Sequence, residues 1–301
     1  MALASNGYAW WYLDAVSDDG RHALVLIAFI GSVFSPYYAA ARRAGATDPR
    51  DHVAINVALY GDGVRRWTMT ERRAADLSCS AATLRIGPSA LRWEDGELVV
   101  DLDEVAMPLP RRVRGRIRLA PRQPPLPIQA LDAAGRHAWQ PIAPAARVRV
   151  DLQAPASRWS GRGYLDANWG VEPLENAFCA WEWSRSVLPD GASLLRYATR
   201  GRDGGTHCLN LRANADGTHE QRPPDVIVAL AGSRWGIARS AAAGSRVART
   251  LEDGPFYARS LIETPWRGGT IPTMHESLSL DRFASRWVQA MLPFRMPRRL
   301  C

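Results

Sequence analysis

The feature that most constrains the fold is a series of turn signals that recur at short intervals along the chain. Asp-Gly pairs stand at residues 95–96, 190–191 and 216–217, and short runs rich in Val, Ile, Leu and aromatic residues lie between such pairs. An Asp-Gly pair between two such runs signals a β-hairpin, because these residues accept the positive φ of a tight turn. The sequence therefore predicts many short antiparallel strands.

Alternation of polar and apolar side chains supports this prediction. Residues 114–119 read Arg-Gly-Arg-Ile-Arg-Leu, and residues 147–152 read Arg-Val-Arg-Val-Asp-Leu. A period of two is typical of a strand with one face in water. Helical periodicity is scarce, and the best candidate is a short helix from about Pro36 to Arg43. We predict an all-β chain of barrel or sandwich type.

The length leaves the number of domains open. A chain of 301 residues is long enough for two domains or for one large all-β domain. The segment 154–157, Ala-Pro-Ala-Ser, follows a predicted strand and is a candidate boundary. If the chain holds two domains, we expect one over residues 1–154 and a second over residues 155–301. The Pro-rich stretch 121–127 is predicted to be a loop inside the first domain.

The apolar stretch from Ala23 to Ala41 approaches the length that a membrane-spanning helix needs. Gly31, Ser32 and Pro36 interrupt it, so we predict a buried strand from Ala23 to about Ile30 and then a loop. The N-terminal segment carries several Asp residues and lacks a basic run followed by an apolar core. A signal peptide is therefore not expected.

The formal net charge of +8 comes entirely from Arg, because the sequence holds no Lys. Such a balance permits anionic partners. Nucleic acid is not expected, since the Arg residues are scattered and no zinc-finger, helix-turn-helix or RNA-binding signature is present. The segment from Ser285 to Cys301 mixes Arg with Trp287, Leu292 and Phe294. It fits either contact with an anionic membrane surface or a final strand with an unstructured end.

Cysteine and histidine usage argues against metal and disulfide chemistry. Cys79, Cys179, Cys208 and Cys301 are far apart, and a chain of this size needs no disulfide, so we expect free and mostly buried thiols. No two of the six His residues stand at metal-ligand spacing. P-loop, GxGxxG, HExxH and GxSxG motifs are absent. The sequence predicts neither a metal nor a cofactor.

Residues 163–175, Gly-Tyr-Leu-Asp-Ala-Asn-Trp-Gly-Val-Glu-Pro-Leu-Glu, concentrate three carboxyls, two aromatic rings and an Asn. A carboxyl beside aromatic rings is poorly hydrated, which raises its pKa toward that of a general acid. Tyr164 and Asp166 have the spacing to share one face of a strand. His137 and Trp139 have the same spacing on another predicted strand.

If those two strands meet, the four side chains form a compact acid–base site with aromatic walls. No sequence feature establishes that the strands meet. The alternative is a structural strand and turn, with the rings in the core and the carboxyls in water.

Seven segments, spread from about Gly7 to near the C-terminus, carry a family resemblance. They are residues 8–15 (Tyr-Ala-Trp-Trp-Tyr-Leu-Asp-Ala), 27–38, 56–61, 67–72 (Trp-Thr-Met-Thr-Glu-Arg), 139–144 (Trp-Gln-Pro-Ile-Ala-Pro), 163–175 and 181–185 (Trp-Glu-Trp-Ser-Arg). Together they resemble the carotenoid 1,2-hydratases, or hydroxyneurosporene synthases, of phototrophic bacteria. One departure is Ala9, where broader relatives with the same fold often carry Glu.

The resemblance implies a fold of two tandem lipocalin-like β-barrel domains. It also implies a hydro-lyase that works without cofactor or metal on acyclic carotenoids such as neurosporene and lycopene. Water would add across the terminal C1=C2 bond and give a tertiary alcohol. Carried over onto this sequence, the family's pattern points to His137, Trp139, Tyr164 and Asp166, the four positions that strand spacing also selects.

The expected mechanism is an acid-catalysed hydration. Protonated Asp166 would donate its proton to C2, and a water held by His137 would attack the tertiary cation at C1. The ring faces of Trp139, Tyr164 and Trp169 would stabilise that cation.

Five further residues receive less specific roles. Asn168 is predicted to help hold the water, or to bond within its loop. Trp181 and Trp183 alternate on a predicted strand, and they line a polyene channel or pack the core. Glu172 and Glu175 are reserve acids, and turn bonding is the alternative for Glu175.

Two other interpretations stay open at this stage. The chain could be a non-catalytic lipocalin-like carrier of a hydrophobic ligand, or another terpenoid-processing enzyme on the same fold, because a fold does not determine a function. A C40 hydrocarbon substrate resides in the bilayer. We therefore expect a peripheral protein on the cytoplasmic face of the inner or photosynthetic membrane, which binds carotenoid and water and no nucleic acid.

Overall fold

A computed structural model describes residues 3–61 and 63–299, and most of these residues lie in antiparallel strands, as predicted. The strands are β1 (Tyr8–Ser17), β2 (Ala23–Ile30), β3 (Val53–Gly61), β4 (Val64–Met69), β5 (Leu77–Cys79), β6 (Thr83–Ile86), β7 (Ser89–Glu94), β8 (Glu97–Ala106), β9 (Arg111–Pro121), β10 (Gln129–Ala130), β11 (His137–Ala154), β12 (Ala156–Gly170), β13 (Phe178–Val187), β14 (Ser193–Gly201), β15 (Thr206–Ala213), β16 (His219–Gln221), β17 (Ile227–Ala229), β18 (Ser240–Ala242), β19 (Arg246–Asp253), β20 (Tyr257–Trp266) and β21 (Gly269–Ser279). The helices are α1 (Pro36–Ala44), α2 (Leu174–Ala177), α3 (Leu280–Ala284) and α4 (Arg286–Met291), with 3-10 turns at Pro49–Asp51, Ala74–Asp76 and Leu292–Phe294.

The chain divides into two compact units. The first takes the chain up to Ala130, then Arg136–Pro173, and again from Ala290 onward; the second comprises Leu131–Gly135 and Leu174–Gln289. The boundary predicted after residue 154 lies at the turn of the β11–β12 hairpin, inside the first unit. Strand β12 pairs with both β11 and β1, so it belongs to the sheet of the first unit.

The sheet of the first unit curls over a single apolar core. In the described part of the chain, its order is β4-β3-β2-β1-β12-β11-β9-β8-β7-β6-β5, with β10 paired to β11. Strands β3 and β4 lie against β6, β8 and β9, which brings opposite ends of the sheet together. Leu26, Val57, Val100, Ile117 and Val148 meet in the enclosed core. The result is a curled half-barrel.

Strands β1 and β2 are buried on both faces. Leu13 and Ala15 of β1 point into the apolar core, whereas Trp10, Tyr12 and Asp14 alternate with them and occupy the opposite face. Strand β2 is buried throughout its length, and its bounds match the strand predicted from Ala23 to about Ile30. A strand that is buried on both sides reads as one apolar run, which explains its resemblance to a membrane span.

The predicted helix near Pro36 is confirmed as α1. The side chain of Ser35 accepts hydrogen bonds from the backbone N–H groups of Tyr37 and Tyr38, at 3.1 and 3.3 Å. Pro36 occupies the first helical position, where its missing N–H costs nothing. The described residues hold no helix that is both long and apolar enough to cross a membrane.

The described part of the segment that begins at Ser285 holds α4 and a 3-10 turn, so the final strand, one of its two alternatives, does not form. Helix α3 precedes this segment, and the Ser279 hydroxyl caps it by accepting from the N–H of Arg282 at 3.3 Å. One sequence prediction is wrong. The thiols are not mostly buried: Cys79 is exposed, because it lies on the short edge strand β5, and Cys179 and Cys208 are half-buried. These three are free; Cys301 lies outside the described residues.

The second unit is built on a seven-stranded sheet in the order β16-β15-β14-β13-β21-β20-β19, and β17 pairs with β18. Hydrogen bonds of Glu182 and His275 connect this sheet to Ser240 of β18. The Glu182 carboxylate accepts from the backbone N–H of Ser240 at 2.6 Å, and Nε2–H of His275 donates to the carbonyl of Ser240 at 2.9 Å. Burial lowers the pKa of His275, although the charge of Glu182 partly opposes that effect. His275 is therefore neutral in the folded protein.

We expect this buried imidazole to make folding stability depend on pH. The folded pKa of His275 lies below its unfolded value, so the unfolded chain binds more protons in acid. The contribution is complete above about pH 6.5 and is lost as the pH falls below that value. Thermal unfolding between pH 8 and pH 5 should therefore show a smaller acid loss in His275→Gln, whose amide N–H replaces Nε2–H. An equal acid loss in both proteins would contradict this account.

Candidate active site

Three neighbouring strands, β11, β12 and β1, carry the candidate site on one face. Trp139 of β11 lies opposite Asn168 of β12, and Tyr12 of β1 lies opposite Asp166. Residues directly opposite each other in antiparallel strands point to the same face. The two strands that carry the four predicted residues are therefore adjacent, and β1 adds a third row to the same surface.

Asp166 is the centre of a buried hydrogen-bond group. Its carboxyl is 3 % exposed. Oδ2 accepts from Nε1–H of Trp139 at 2.8 Å and from the hydroxyl of Tyr164 at 2.8 Å. Oδ1 accepts from Nδ2–H of Asn168 at 3.1 Å. Two of these bonds converge on Oδ2, so the carboxyl is held from several sides.

Tyr164 is fitted to act as a donor in this group. Its ring is fully buried. Burial raises the pKa of Tyr164 well above its usual value, and the neighbouring charge of Asp166 adds to the effect. The phenol therefore keeps its proton at neutral pH and can donate it to Oδ2. The ring of Tyr12 lies edge-on to that of Tyr164, with centroids 6.3 Å apart.

His137 is fully buried, but it lies outside the hydrogen-bond group of Asp166. A 2.8 Å hydrogen bond joins its Nδ1 to the hydroxyl of Tyr8, and its Nε2 is 3.5 Å from Oε1 of Glu172. His137 pairs with Gly170, four residues along β12 from Asp166. Four residues of a strand span about 13 Å, so His137 and Asp166 are separated by about that distance along the strand direction. Asn168 lies between them.

The amide of Asn168 presents one unused group to this surface. The side chain is 2 % exposed, and its Nδ2–H is committed to Asp166. Oδ1 is buried and has no hydrogen-bond partner among the described residues. A buried amide oxygen without a partner is costly, so this atom suits a water molecule or a ligand hydroxyl.

The remaining predicted residues are not brought into the hydrogen-bond group of Asp166. Trp169 lies opposite Ala9 and Ala138, so its half-buried ring occupies the other face of the sheet. An odd separation from Asp166 along a strand forces this result. Glu172, outside β12, lies 3.2 Å from the guanidinium of Arg136.

Trp181, Trp183 and Glu175 belong to the second unit. The two Trp rings are buried on one face of β13, where Trp181 lies 6.4 Å from the ring of Tyr197. Glu175 is in the first turn of α2. A polyene-lining role for the two Trp residues stays a prediction.

Three residues that the sequence did not single out for the site lie on the same face. Tyr8, Tyr12 and Asp14 of β1 face His137, Asp166 and Tyr164, respectively. The signal was present, because residues 8, 10, 12 and 14 read Tyr, Trp, Tyr and Asp at a spacing of two. This pattern identifies site residues only when the pairing of β1 with β12 is known.

Comparisons with known proteins identify the family of this chain. A family model described as "Carotenoid hydratase CrtC" matches residues 26–301. An acyclic carotenoid 1,2-hydratase from Thiocapsa roseopersicina is 54 % identical over 99 % of this chain and 75 % of its own length. The protein of the same description from Rubrivivax gelatinosus is 45 % identical over 98 % of this chain and 74 % of its own length.

The chain belongs to the carotenoid hydratase family. The resemblance drawn from the seven sequence segments is thereby confirmed. As a carotenoid hydratase, the chain also shares its fold with a crystal structure from Nitrosomonas europaea that is provisionally described as AttH. The TM-score is 0.66 at 16 % identity, and the match covers 90 % of this chain and 92 % of the other. That likeness concerns the fold alone.

Close packing at Gly170 supplies a test of the His137 arrangement. A Cβ at Gly170 would lie 2.6 Å from Nδ1 of His137 and 2.7 Å from a ring carbon of Tyr8. We expect Gly170→Ala to displace one of these rings and to lower the free energy of unfolding by about 1–3 kcal/mol. In NMR spectra the imidazole signals of His137 should shift, while the indole N–H of Trp139 keeps its signal.

Gly232→Ala is the matched control, because a Cβ at that position meets nothing within 4 Å. It should change stability by less than about 0.5 kcal/mol. Equal behaviour of the two variants would show that the His137–Tyr8 contact does not require a glycine at position 170.

Proposed function

We propose that this chain adds water across the terminal C1=C2 bond of an acyclic carotenoid such as lycopene or neurosporene, with Asp166 as the acid. The observation that carries the proposal is the buried carboxyl with three donors and aromatic neighbours. The relatives described as acyclic carotenoid 1,2-hydratases supply the substrate class. Hydration of an isolated trisubstituted alkene needs a proton donor, a stabilised cation and a placed water.

In the first step, the proton of the Asp166 carboxyl passes to C2. The π electrons of C1=C2 form the new C2–H bond, and C1 becomes a tertiary cation. Asp166 becomes a carboxylate in the same step. The donors Trp139 and Tyr164 then face a full negative charge on Oδ2, so their hydrogen bonds strengthen as the proton leaves. This differential stabilisation lowers the barrier without tighter binding of the substrate.

Aromatic faces stabilise the cation at C1. Tyr12 lies opposite Asp166, and Trp10 lies opposite Asn168, so both rings border the carboxyl. A cation over a desolvated ring gains about 2 kcal/mol. Trp169 does not take part in stabilising the cation, because its ring occupies the other face of the sheet.

In the second step, a water held by Oδ1 of Asn168 and by His137 attacks C1. Asn168 and His137 are diagonal neighbours across β11 and β12, at a spacing of about 7 Å that a bridging water can span. The water oxygen forms the C1–O bond, and its spare proton passes to His137. Solvent returns that proton to Asp166, so the enzyme ends in its starting state.

The decisive experiment measures hydration by purified protein. Lycopene or neurosporene in detergent or liposomes should give mono- or dihydroxy products by chromatography. Asp166→Asn should lower kcat by about 100- to 10,000-fold, because the general acid is lost, while Asp166→Glu keeps more activity. Asp18→Asn is the matched control, because Asp18 is about half-exposed and pairs with Arg147 away from this group, and it should stay close to the parent protein.

This experiment also separates the enzyme from a lipocalin-like carrier. A carrier would bind the polyene and give no product, and Asp166→Asn would not change that behaviour. Full activity of Asp166→Asn would remove the residue from the mechanism and make Glu172 or Glu175 the acid. A product without the C1 alcohol would favour another terpenoid-processing reaction.

The finer architecture is part of the proposal. We propose that each unit is a lipocalin-like barrel, so that the chain holds two in tandem. The curled sheet around one apolar core supports this in the first unit. The buried rings of Trp181 and Trp183 in the second unit are proposed to contact the polyene chain.

The protein is further proposed to meet the cytoplasmic face of its membrane peripherally. Trp287 is 45 % exposed and Phe294 is 74 % exposed, and Arg286 is exposed beside them in sequence. Leu292 is buried, and Arg298 is tied to the buried Glu71 at 3.0 Å. The contact is therefore assigned to exposed residues of each unit, Arg286 and Trp287 in the second and Phe294 in the first, rather than to the whole segment.

Liposome flotation tests this contact. The parent protein should float with anionic vesicles at low salt and detach at high salt, because anionic lipid attracts each nearby Arg by about 1 kcal/mol. Trp287→Ala and Phe294→Ala should weaken flotation. The matched control is Trp93→Ala, which removes a ring that is 38 % exposed elsewhere on the chain. Equal flotation of all variants, or none by the parent, would remove this surface from the proposal.

A further inference from the structure

The second unit holds a cavity that the proposed hydration does not use. It has a volume of about 70 Å³, and it is bounded by one face of the seven-stranded sheet and by Ala241 and Ala242 of β18. A single water needs about 10–15 Å³, so the cavity has room for several waters or for one small ligand. Ser184 of β13 lies opposite Arg196 of β14, which lies opposite Asn210 of β15. These three lining residues therefore form one row across the face.

This face of the sheet is not the one that is proposed to contact the polyene. Ser184 and Ser186 of β13 line the cavity, whereas Trp181 and Trp183 are separated from them by odd numbers of residues on the same strand. Side chains at odd separations along a strand point to opposite faces. The cavity is therefore separate from the surface that carries the two Trp rings.

Two buried polar atoms of lining residues have no hydrogen-bond partner among the described residues. They are Nε of Arg196 and Oγ1 of Thr264. Nη1 of the same guanidinium is 3.5 Å from the carboxylate of Glu182, which already accepts from the backbone N–H of Ser240 at 2.6 Å. The charge of Arg196 is therefore only partly compensated inside the fold. Unpartnered buried polar atoms are costly and rare, so both atoms suit the oxygens of a bound ligand.

The charged groups of the lining favour an anion. Arg196 and Arg222 contribute two guanidinium groups, and Asp225 contributes one carboxylate. Arg222 and Asp225 lie 3.5 Å apart and are partly exposed, so they form the rim of the cavity. Asn210 adds a weakly held donor, because its Nδ2–H donates to the sulfur of Cys208, a poor acceptor, at 3.6 Å. Guanidinium groups bind carboxylates through charge-assisted hydrogen bonds, which are about twice as strong as neutral ones.

An apolar wall restricts which anions fit. Ile262, Pro265 and Trp266 line the same cavity as the guanidinium groups. A bare inorganic anion would leave this wall in contact with water, which is unfavourable. A short organic acid fits both parts of the lining, because its carboxylate can pair with the donors while its chain covers the wall.

We propose that this cavity binds a small organic acid. Arg196, Arg222 and Thr264 hold the carboxylate, and the short apolar chain lies against Trp266. None of these residues belongs to the hydrogen-bond group of Asp166, so the inference does not rest on the proposed function.

Calorimetric titration of the full chain with butyrate tests the proposal. The parent protein should bind butyrate saturably, and the indole N–H of Trp266 should shift in NMR spectra as the local signature. Butyramide has nearly the same shape without the charge, and inorganic phosphate has charge without the apolar chain. Each should bind about tenfold more weakly than butyrate or worse. Equal affinity for either probe, or no saturable binding of butyrate, would overturn the proposal.

Two substitutions locate the site. Thr264→Val keeps the shape of the side chain and removes the hydroxyl, and Arg196→Gln removes the charge. Each should weaken butyrate binding about tenfold or more. The matched controls are Thr206→Val and Arg246→Gln, which change exposed residues of the same sheet outside the cavity and should keep the parent affinity.

Thr264→Val keeps the test decisive if Arg196→Gln does not fold. Because Oγ1 of Thr264 has no partner in the free protein, its removal should leave the melting temperature equal to or above that of the parent. A folded Thr264→Val protein that binds butyrate as tightly as the parent would show that the hydroxyl does not contact the ligand and would overturn the proposed site.

Discussion

The antiparallel pairing of β1, β12 and β11 is the constraint on which the site depends. It places Tyr12 and Trp139 on the same face as Asp166, although the three residues are far apart in the sequence. A slip of one residue between β12 and either neighbour would turn these side chains to opposite faces. The apolar core on the other face, which includes Leu13 and Leu165, holds the register against such a slip.

Burial and hydrogen bonding act on Asp166 in opposite directions, and the proposed chemistry uses both. Burial disfavours the charged carboxylate relative to the neutral carboxyl, which favours retention of the proton that the proposed mechanism needs. Trp139, Tyr164 and Asn168 stabilise the carboxylate that forms when the proton leaves. Because Tyr164 stays neutral, its donor role does not fail near neutral pH. In the proposed mechanism, the same carboxyl therefore serves as the acid and then as a stabilised conjugate base.

Much of the local structure follows from the sequence, because strand and helix signals are local. The bounds of β2 and a short helix beginning near Pro36 were predicted from local patterns. The face shared by Tyr164 and Asp166 follows from a spacing of two. Trp169 is an odd number of residues from Asp166 on the same strand, so the same spacing places it on the other face. The sequence alone was sufficient to exclude Trp169 from the site.

Other features depend on pairing between distant strands, which no local pattern encodes. The contributions of Tyr8, Tyr12 and Asp14 required the β1–β12 register, and the meeting of the two site strands required the β11–β12 hairpin. The joint that contains Pro155 forms the turn of the β11–β12 hairpin. Because both strands of this hairpin belong to one sheet, the first unit continues past the joint to Pro173. The roles of individual site residues came from the family resemblance as much as from spacing.

The central claim is that Asp166 delivers the proton to the terminal double bond. The most direct measurement is a crystal structure of Asp166→Asn with an acyclic carotenoid bound. The account predicts that C2 of one chain end lies about 3–3.5 Å from a terminal side-chain atom of residue 166, with C1 facing Asn168 and His137. A polyene whose terminal double bonds both lie away from position 166 would contradict the account.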